Sequence, residues 1–515
     1  MASALLELPA AEAEALLDEL AERQLLERGG LDAVGQLRYR FHDLIRAYGR
    51  EQLTVTDAAD ERRSALQRLL DAAVALAEEL AGQLGATLIP PLTGPQLAGR
   101  KPSGRAATEL ARAQPVTWFE AERAALVATT LQAAEEGVPV WKLAAYLAPF
   151  FDLRSHWDDW RRTHDAALVA ARRSGDREGE GTMLRGLGFL QDQLGQAEAA
   201  AASFRTSLEL AMDRGSAGSA WYGLGEALWS QGRVVEAMRC YEKSLALVQG
   251  MCDRGEALVR KSLGVALHEH GQVEAALFNL TRSLSIYTDH GDPRGQAMTL
   301  YALGVNRRDV GAADEAAAHF ERSRELYREA GDRRHEVYAL YGLGTASRVL
   351  GDPAGARAQL EQALKQFQEF GDRRGEAYTR HALGRTACDA DRLDEAERHL
   401  LSALEIACSL RDERAEAAAR HALADVRLAQ GRVGEAIDLL QRAVEADQRL
   451  ECRLHEARAR ASLAGALEAA GAEQEADAER REVARLSAAL GVPLHLIEGP
   501  SAGPRPQAQL VTVMP

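Results

Sequence analysis

The sequence predicts an all-α fold: a solenoid of about eight 40-residue helix hairpins, preceded by a small unit of another kind. Three ladders of residues carry the prediction. A Leu-Gly step recurs at Leu187-Gly188, Leu224-Gly225, Leu263-Gly264, Leu303-Gly304, Leu343-Gly344 and Leu383-Gly384, then continues as Leu423-Ala424 and Leu463-Ala464. Seven residues after each step stands Gly195, Gly232, Gly271, Gly311, Gly351, Asp391, Gly431 or Gly471. Five residues further on an Ala follows every time, from Ala200 to Ala476. Columns locked over eight copies mark a repeat array.

The copy from Asp332 to Gly371 shows what one unit is. Val337, Leu340, Leu343, Ala346 and Leu350 recur at helical spacing, and so do Ala356, Leu360, Ala363, Leu364 and Phe367. Gly351-Asp352-Pro353 separates the two runs: glycine ends a helix in the left-handed conformation, Asp caps the next, and Pro suits its first turn. Gly291-Asp292-Pro293, Gly331-Asp332 and Gly371-Asp372 turn the chain between units. Gly344 and Ala356 are small because the two helices of a hairpin approach closely there.

Taken in order, residues 1–55 form a separate unit. A helix with Leu16, Leu17 and Leu20 on its apolar side leads to short strands at Leu25-Leu26-Glu27 and Leu37–Phe41, around a turn at Gly29-Gly30. His42-Asp43 then opens another helix. Helix, two-stranded wing and helix are the closing part of a winged-helix fold. Residues 56–135 read as a helical connector broken by a Pro/Gly loop at 88–106, with Trp118 as a buried anchor. Residues 136–174, bulky at Phe150, Phe151, Trp157 and Trp160, suit an N-terminal cap that seals the array. The repeats and a charged capping helix occupy 175–490, and 491–515, without periodicity, read as a disordered tail.

Composition narrows the function classes. A net charge of −15 disfavours nonspecific attraction to nucleic acid or anionic membrane. No apolar run is long enough to span a bilayer. The five cysteines, odd in number and without a Cys-x-x-Cys pair, read as buried free thiols of a cytoplasmic protein. Catalytic constellations are not found. His268 and His270 point about 200° apart on a helix, so they do not share a metal.

The Leu-Gly and Ala code resembles the tetratricopeptide repeat, in a variety with extended helices. That resemblance implies a right-handed superhelix whose first helices line a concave groove. A second resemblance is more specific. Leu16–Glu27 (LLDELAERQLLE), Arg38–Glu51 (RYRFHDLIRAYGRE) and Thr117–Gly137 (TWFEAERAALVATTLQAAEEG) are similar to the end of the winged helix, and to the segment leading into the repeats, of NB-ARC/STAND-type regulators of the actinobacterial antibiotic-regulatory kind. It implies that His42 of Phe41-His42-Asp43 contacts the β-phosphate of bound ADP and that Asp43 orients it. An Asp at a helix start also caps it, so the pair has an ordinary structural reading too. The chain holds no Gly-x-x-x-x-Gly-Lys-Ser/Thr, so it carries no cofactor of its own. ADP or ATP enters only if a longer parent or a partner supplies the nucleotide-binding domain.

Carrying over the groove positions of tetratricopeptide repeats gives Tyr222, Lys261, Tyr301, Tyr341 and His381 in one column, Arg385 in a second, and Arg308 and Arg348 in a third. Aromatic anchors beside guanidinium groups suit a peptide bearing carboxylates. The same residues also fit a solvated amphipathic face; their recurrence over adjacent repeats is what points to binding. The reading is a non-enzymatic sensor arm of a STAND-type signalling or transcription regulator, binding a protein or peptide, without membrane or direct DNA contact. The alternative is a stand-alone scaffold that assembles protein partners without a nucleotide switch.

Overall fold

The computed structural model describes residues 1–33, 35–84, 111–494 and 497. The expected loop at 88–106 and most of the tail lie outside the described residues. Contacts divide the chain into two units. The first comprises Met1–Gln231, Glu236–Ser262 and Ser285–Gly295; the second comprises Gly232–Val235, Leu263–Leu284 and Gln296–Pro515.

The first unit opens with helices at Ala2–Leu6 and Ala10–Glu22, then strands Leu26–Leu31 and Leu37–Phe41, then a helix at Asp43–Thr56. The strands pair antiparallel, with Leu26 opposite Phe41 and Leu31 opposite Leu37. The sequence reading put the turn at Gly29-Gly30, and the structure moves it. Those glycines lie inside the first strand, at the register shift between Arg28 and Leu31, where Gly30 takes φ +79°. The turn is Asp32–Gln36: the Asp32 carboxylate accepts the Gln36 N–H at 2.8 Å, and Gly35 supplies φ +75°. Arg38 ties this hairpin to the helix Pro115–Glu135 through Glu122 at 2.6 Å. That helix buries Trp118 and Phe119, whose rings meet edge to face at 5.2 Å. Helices Trp141–Arg154 and Trp157–Ser174 bury Phe150, Phe151 and Trp160 completely.

From Arg177 to Leu490 the chain is a run of helix hairpins. In the second unit the complete ones are Ala313–Glu329 after its first helix, then Arg333–Val349 with Pro353–Phe370, Arg373–Asp389 with Leu393–Leu410, Glu413–Ala429 with Val433–Arg449, and Arg453–Ala469 with Glu473–Leu490. The aspartates work as read from the sequence: Asp332, Asp352, Asp372 and Asp412 each accept an N–H three residues on. Asp372 does more. Its second oxygen takes Arg334 at 2.8 Å and the Tyr338 hydroxyl at 3.1 Å from the preceding hairpin, so a cap also couples neighbours.

The core of the array is a wedge repeated once per hairpin. Four residues after the second-helix Ala, in every hairpin but the last, stands a large side chain, which presses on the first helix of its own hairpin and, as Phe204 and Phe320 show, on that of the next. Phe320 sits where Cβ atoms at Gly304 and Gly342 would stand, 2.6 and 2.5 Å from its ring. Phe204 fills the same place over Gly188 and Gly223. Where the wedge is Leu280, Leu360 or Leu400, the next hairpin carries Ala302, Ala382 or Ala422 instead of glycine. Volume is conserved across the joint, as close packing requires.

Two sequence expectations need correction here. The tail was read as starting at 491, yet Val492 and Ile497 pack into a cluster with Leu454, Val483, Leu486 and Leu490. The apolar residues of the next turn bury that helix end. The cysteines are free, but only Cys240 and Cys452 are buried, and Cys408 is exposed. Cys408 falls on the solvent side of Leu393–Leu410, while Ala403, Ile406 and Ala407 face inward.

Candidate functional site

First helices of neighbouring hairpins between residues 333 and 469 touch each other, whereas their second helices scarcely meet, so the first helices form the inner layer. Within the second unit this layer returns on itself. Arg414 Nη1 lies 2.9 Å from Glu269 Oε1, and Arg458 Nη2 donates to the Asp309 carbonyl at 2.9 Å. Leu490 Cδ2 occupies the space a Cβ at Gly271 would need. Residues about 145 positions apart therefore face one another.

Six of the eight groove residues expected from the sequence lie in this second unit; Tyr222 and Lys261 belong to the first. Tyr222 is not a groove residue. It is fully buried between Phe189 and Tyr241, ring centroids 6.0 and 6.1 Å away, because bulky neighbours close over a position that is open in later repeats. Lys261 is half-buried.

Tyr301, Arg308, Tyr341, Arg348, His381 and Arg385 are all half-buried on the inner layer, but they differ in how they are held. Tyr301 leans on Phe320 at 5.4 Å, and Tyr341 packs on two hydrophobic clusters. Arg308 is locked: its Nε donates to Asp309 at 2.8 Å and its Nη1 to Thr345 Oγ1 at 3.1 Å. Asp309 also accepts from His268 Nε2 at 3.1 Å, and His268 Nδ1 is 3.2 Å from Asn306 Nδ2. Arg308 is thus part of the framework and not a free anchor. Arg348 reaches Asp389 of the next hairpin at 2.8 Å, and that carboxylate is half exposed. Arg385 makes no hydrogen bond or ion pair with any described residue.

The electrostatics follow from this crowding of guanidinium groups. Burial, then Arg385 and Arg348, push His381 down to about 3, so it is neutral at pH 7. Burial also lowers His421, with Asp425 opposing and Arg385 and Arg458 adding to the effect. Sequence reasoning reaches His421, which stands in the same column as His381 one repeat on, but misses Arg458 and Asp309. Arg458 belongs to a repeat four units beyond that of Asp309 in the ladder, and no local pattern reports that meeting.

His42 sits at the cap position of Asp43–Thr56, exposed, with Nε2 2.9 Å from Glu27 Oε1. Asp43 neither caps the helix nor orients His42. It pairs with Arg46 at 2.9 Å, because it stands inside the first turn where its side chain points along the helix. Among the described residues, no group of three or more His, Cys, Asp or Glu is placed to hold a metal, and no helix is long and apolar enough to cross a membrane.

Comparison with known proteins gives the array its family. Residues 216–289, 295–369 and 336–409 match one tetratricopeptide repeat model, and 419–454 match another. These segments are tetratricopeptide repeats. The regulatory protein AfsR of Streptomyces coelicolor is 47% identical over 74 residues, which is 14% of this chain and 7% of AfsR. The match thus spans a small fraction of that relative's length. A Rap protein, solved in complex with competence and sporulation factor, covers 71% of this chain over 98% of its own, at TM-score 0.54 and 15% identity. A STAND protein with a tetratricopeptide repeat sensor from Pyrococcus horikoshii covers 93% of this chain over 62% of its own, at TM-score 0.52 and 14% identity. At such identities the likeness is one of fold.

Proposed function

We propose that the chain is the sensing arm of a STAND-type regulator and that its inner layer of first helices takes up a peptide signal. One observation carries the reading: half-buried tyrosines, Tyr301 and Tyr341, stand beside guanidinium groups that the protein does not fully pair, on the inner layer of consecutive repeats. Aromatic rings supply desolvated contact area, and unspent guanidinium donors supply directed hydrogen bonds to a peptide. The Rap protein, alike in fold, is complexed with competence and sporulation factor; the STAND protein alike over most of this chain is a signal transduction ATPase with a tetratricopeptide repeat sensor. The AfsR match supports a regulatory setting. In this scheme the N-terminal helix–hairpin–helix unit is the end of a winged helix, and His42 is the residue that meets a nucleotide-binding domain supplied in cis or in trans.

The test is to select binders from a random peptide library on the full chain and map them by hydrogen exchange. Protection is expected on Pro293–Asp309, Arg333–Val349 and Arg373–Asp389. Protection confined to the second helices would overturn the proposal.

A further inference from the structure

We infer that Arg385 is the receiving point for an oxyanion, a carboxylate or phosphate carried by the peptide; the inference rests on the groove reading above. Arg385 stands two residues beyond Leu383 on the inner side of Arg373–Asp389, half-buried and without a hydrogen bond or ion pair among the described residues. A half-buried guanidinium without an internal partner keeps its forked donors free for a planar oxyanion. Its neighbours share the same field. Arg385 acts on Arg348, His381, His421 and Arg458, and in all four the protonated form is disfavoured, with burial as the leading cause.

The acids nearby do not cancel this field. Asp309 is taken by Arg308, His268 and the neighbourhood of Arg458, and Asp389 by Arg348. Asp425, on the following first helix, acts on His421 but makes no ion pair with Arg385 within 4.0 Å. With His381 pushed down to about 3 and His421 lowered, the positive charge offered to an incoming anion is that of the guanidinium groups. Tyr341, one repeat earlier in the same column as His381, packs on Leu360, Ala382 and Leu383, and Leu383 stands two residues before Arg385. The protein as a whole is acidic, with a net charge of −15, so attraction of an anion here is local and directed, not a property of the surface at large.

The experiment uses the full chain and the peptides selected from the random library. Those peptides are expected to share an Asp or Glu at one position, and Arg385→Gln is expected to weaken them about 10- to 100-fold, the size of a lost hydrogen bond to a charged group. Arg385→Lys, which keeps the charge and loses the planar fork, is expected to fall between. Replacing the shared acid by phosphoserine, and competing with inorganic phosphate, decides the source: tighter phosphoserine binding with phosphate competition makes it a phosphate, and the reverse a carboxylate. Helix content and thermal midpoint of Arg385→Gln should equal or exceed wild type, since no internal bond is lost and repulsion is relieved. Inner-layer binders with no acidic preference and equal affinity for Arg385→Gln overturn this inference and leave the groove reading standing. A library yielding no binder that footprints on the inner layer overturns both.

Discussion

Gly342→Ala should destabilise the array, and the cost can be worked out from one contact. A Cβ at position 342 would stand 2.5 Å from Phe320 Cδ1, and Phe320 is completely buried, so the ring has nowhere to retreat. Overpacking of this kind costs about 1–3 kcal/mol. Replacing glycine by alanine inside a helix returns about 1 kcal/mol. The net loss is therefore up to about 2 kcal/mol, the difference of those two effects. The chain itself supplies the rescue. Where the wedge is Leu, as at Leu280, Leu360 and Leu400, the facing residue is Ala302, Ala382 or Ala422. Phe320→Leu with Gly342→Ala should thus be closer to wild type than Gly342→Ala alone, with a coupling energy of about 1–2 kcal/mol. Urea unfolding followed by circular dichroism reads the total, and hydrogen exchange in 313–349 reads the joint itself. A Gly342→Ala variant more stable than wild type, or a double variant no better than the single, would refute the wedge.

Two further predictions test the polar interior. Asp447 is buried beside Glu456, and burial first, then Glu456, raises it to about 8 against the opposing pull of Arg414. A carboxyl whose folded pKa is raised stabilises the protein fully below its unfolded value and loses that contribution as pH rises through the folded one. Stability should fall between about pH 4 and pH 8, and Asp447→Asn should flatten that fall and gain about 2–4 kcal/mol at pH 8, read from urea midpoints across pH. An unchanged slope in the variant would remove Asp447 as its source. In the first unit, Asp152 and Arg294 pair at 3.3 Å with each side chain 3% exposed. Asp152→Ala should cost about 3–5 kcal/mol, and the apolar pair Asp152→Leu with Arg294→Met much less. A loss under about 1 kcal/mol for Asp152→Ala, measured by thermal unfolding, would contradict the assignment.

How much of this was open to a reader of the sequence depends on how local each interaction is. The hairpins, their Asp caps and their glycine turns are legible because every signal lies within one repeat and recurs along the array. The wedge was half legible: small residues at Gly344 and Ala356 announced close helices, but the match between Phe320 and Gly342 or Leu360 and Ala382 spans two repeats. Tyr222 was misplaced because a column from the family ignores what its neighbours do, and Phe189 and Tyr241 close over it. Arg308 reads as a ligand anchor from its column, but Asp309, itself bonded to His268, and Thr345 hold it. The Gly29-Gly30 turn lost to Asp32 and Gly35, which offer a side-chain hydrogen bond as well as a positive φ. Least legible was the meeting of Arg414 with Glu269 and of Arg458 with Asp309, because it depends on the small rotation added by every hairpin between them.

The central claim is that the inner layer of this array is a peptide site, and it is tested most directly by the affinity of one library-selected peptide for wild type and for Tyr341→Ala with Arg348→Ala. Tyr341 is half-buried, and the Arg348 partner, Asp389, faces solvent on one side. The account predicts that the dissociation constant rises at least about tenfold, the worth of one lost charged hydrogen bond, with helix content unchanged. Equal affinity in a folded double variant would contradict it and move the binding surface off the inner layer.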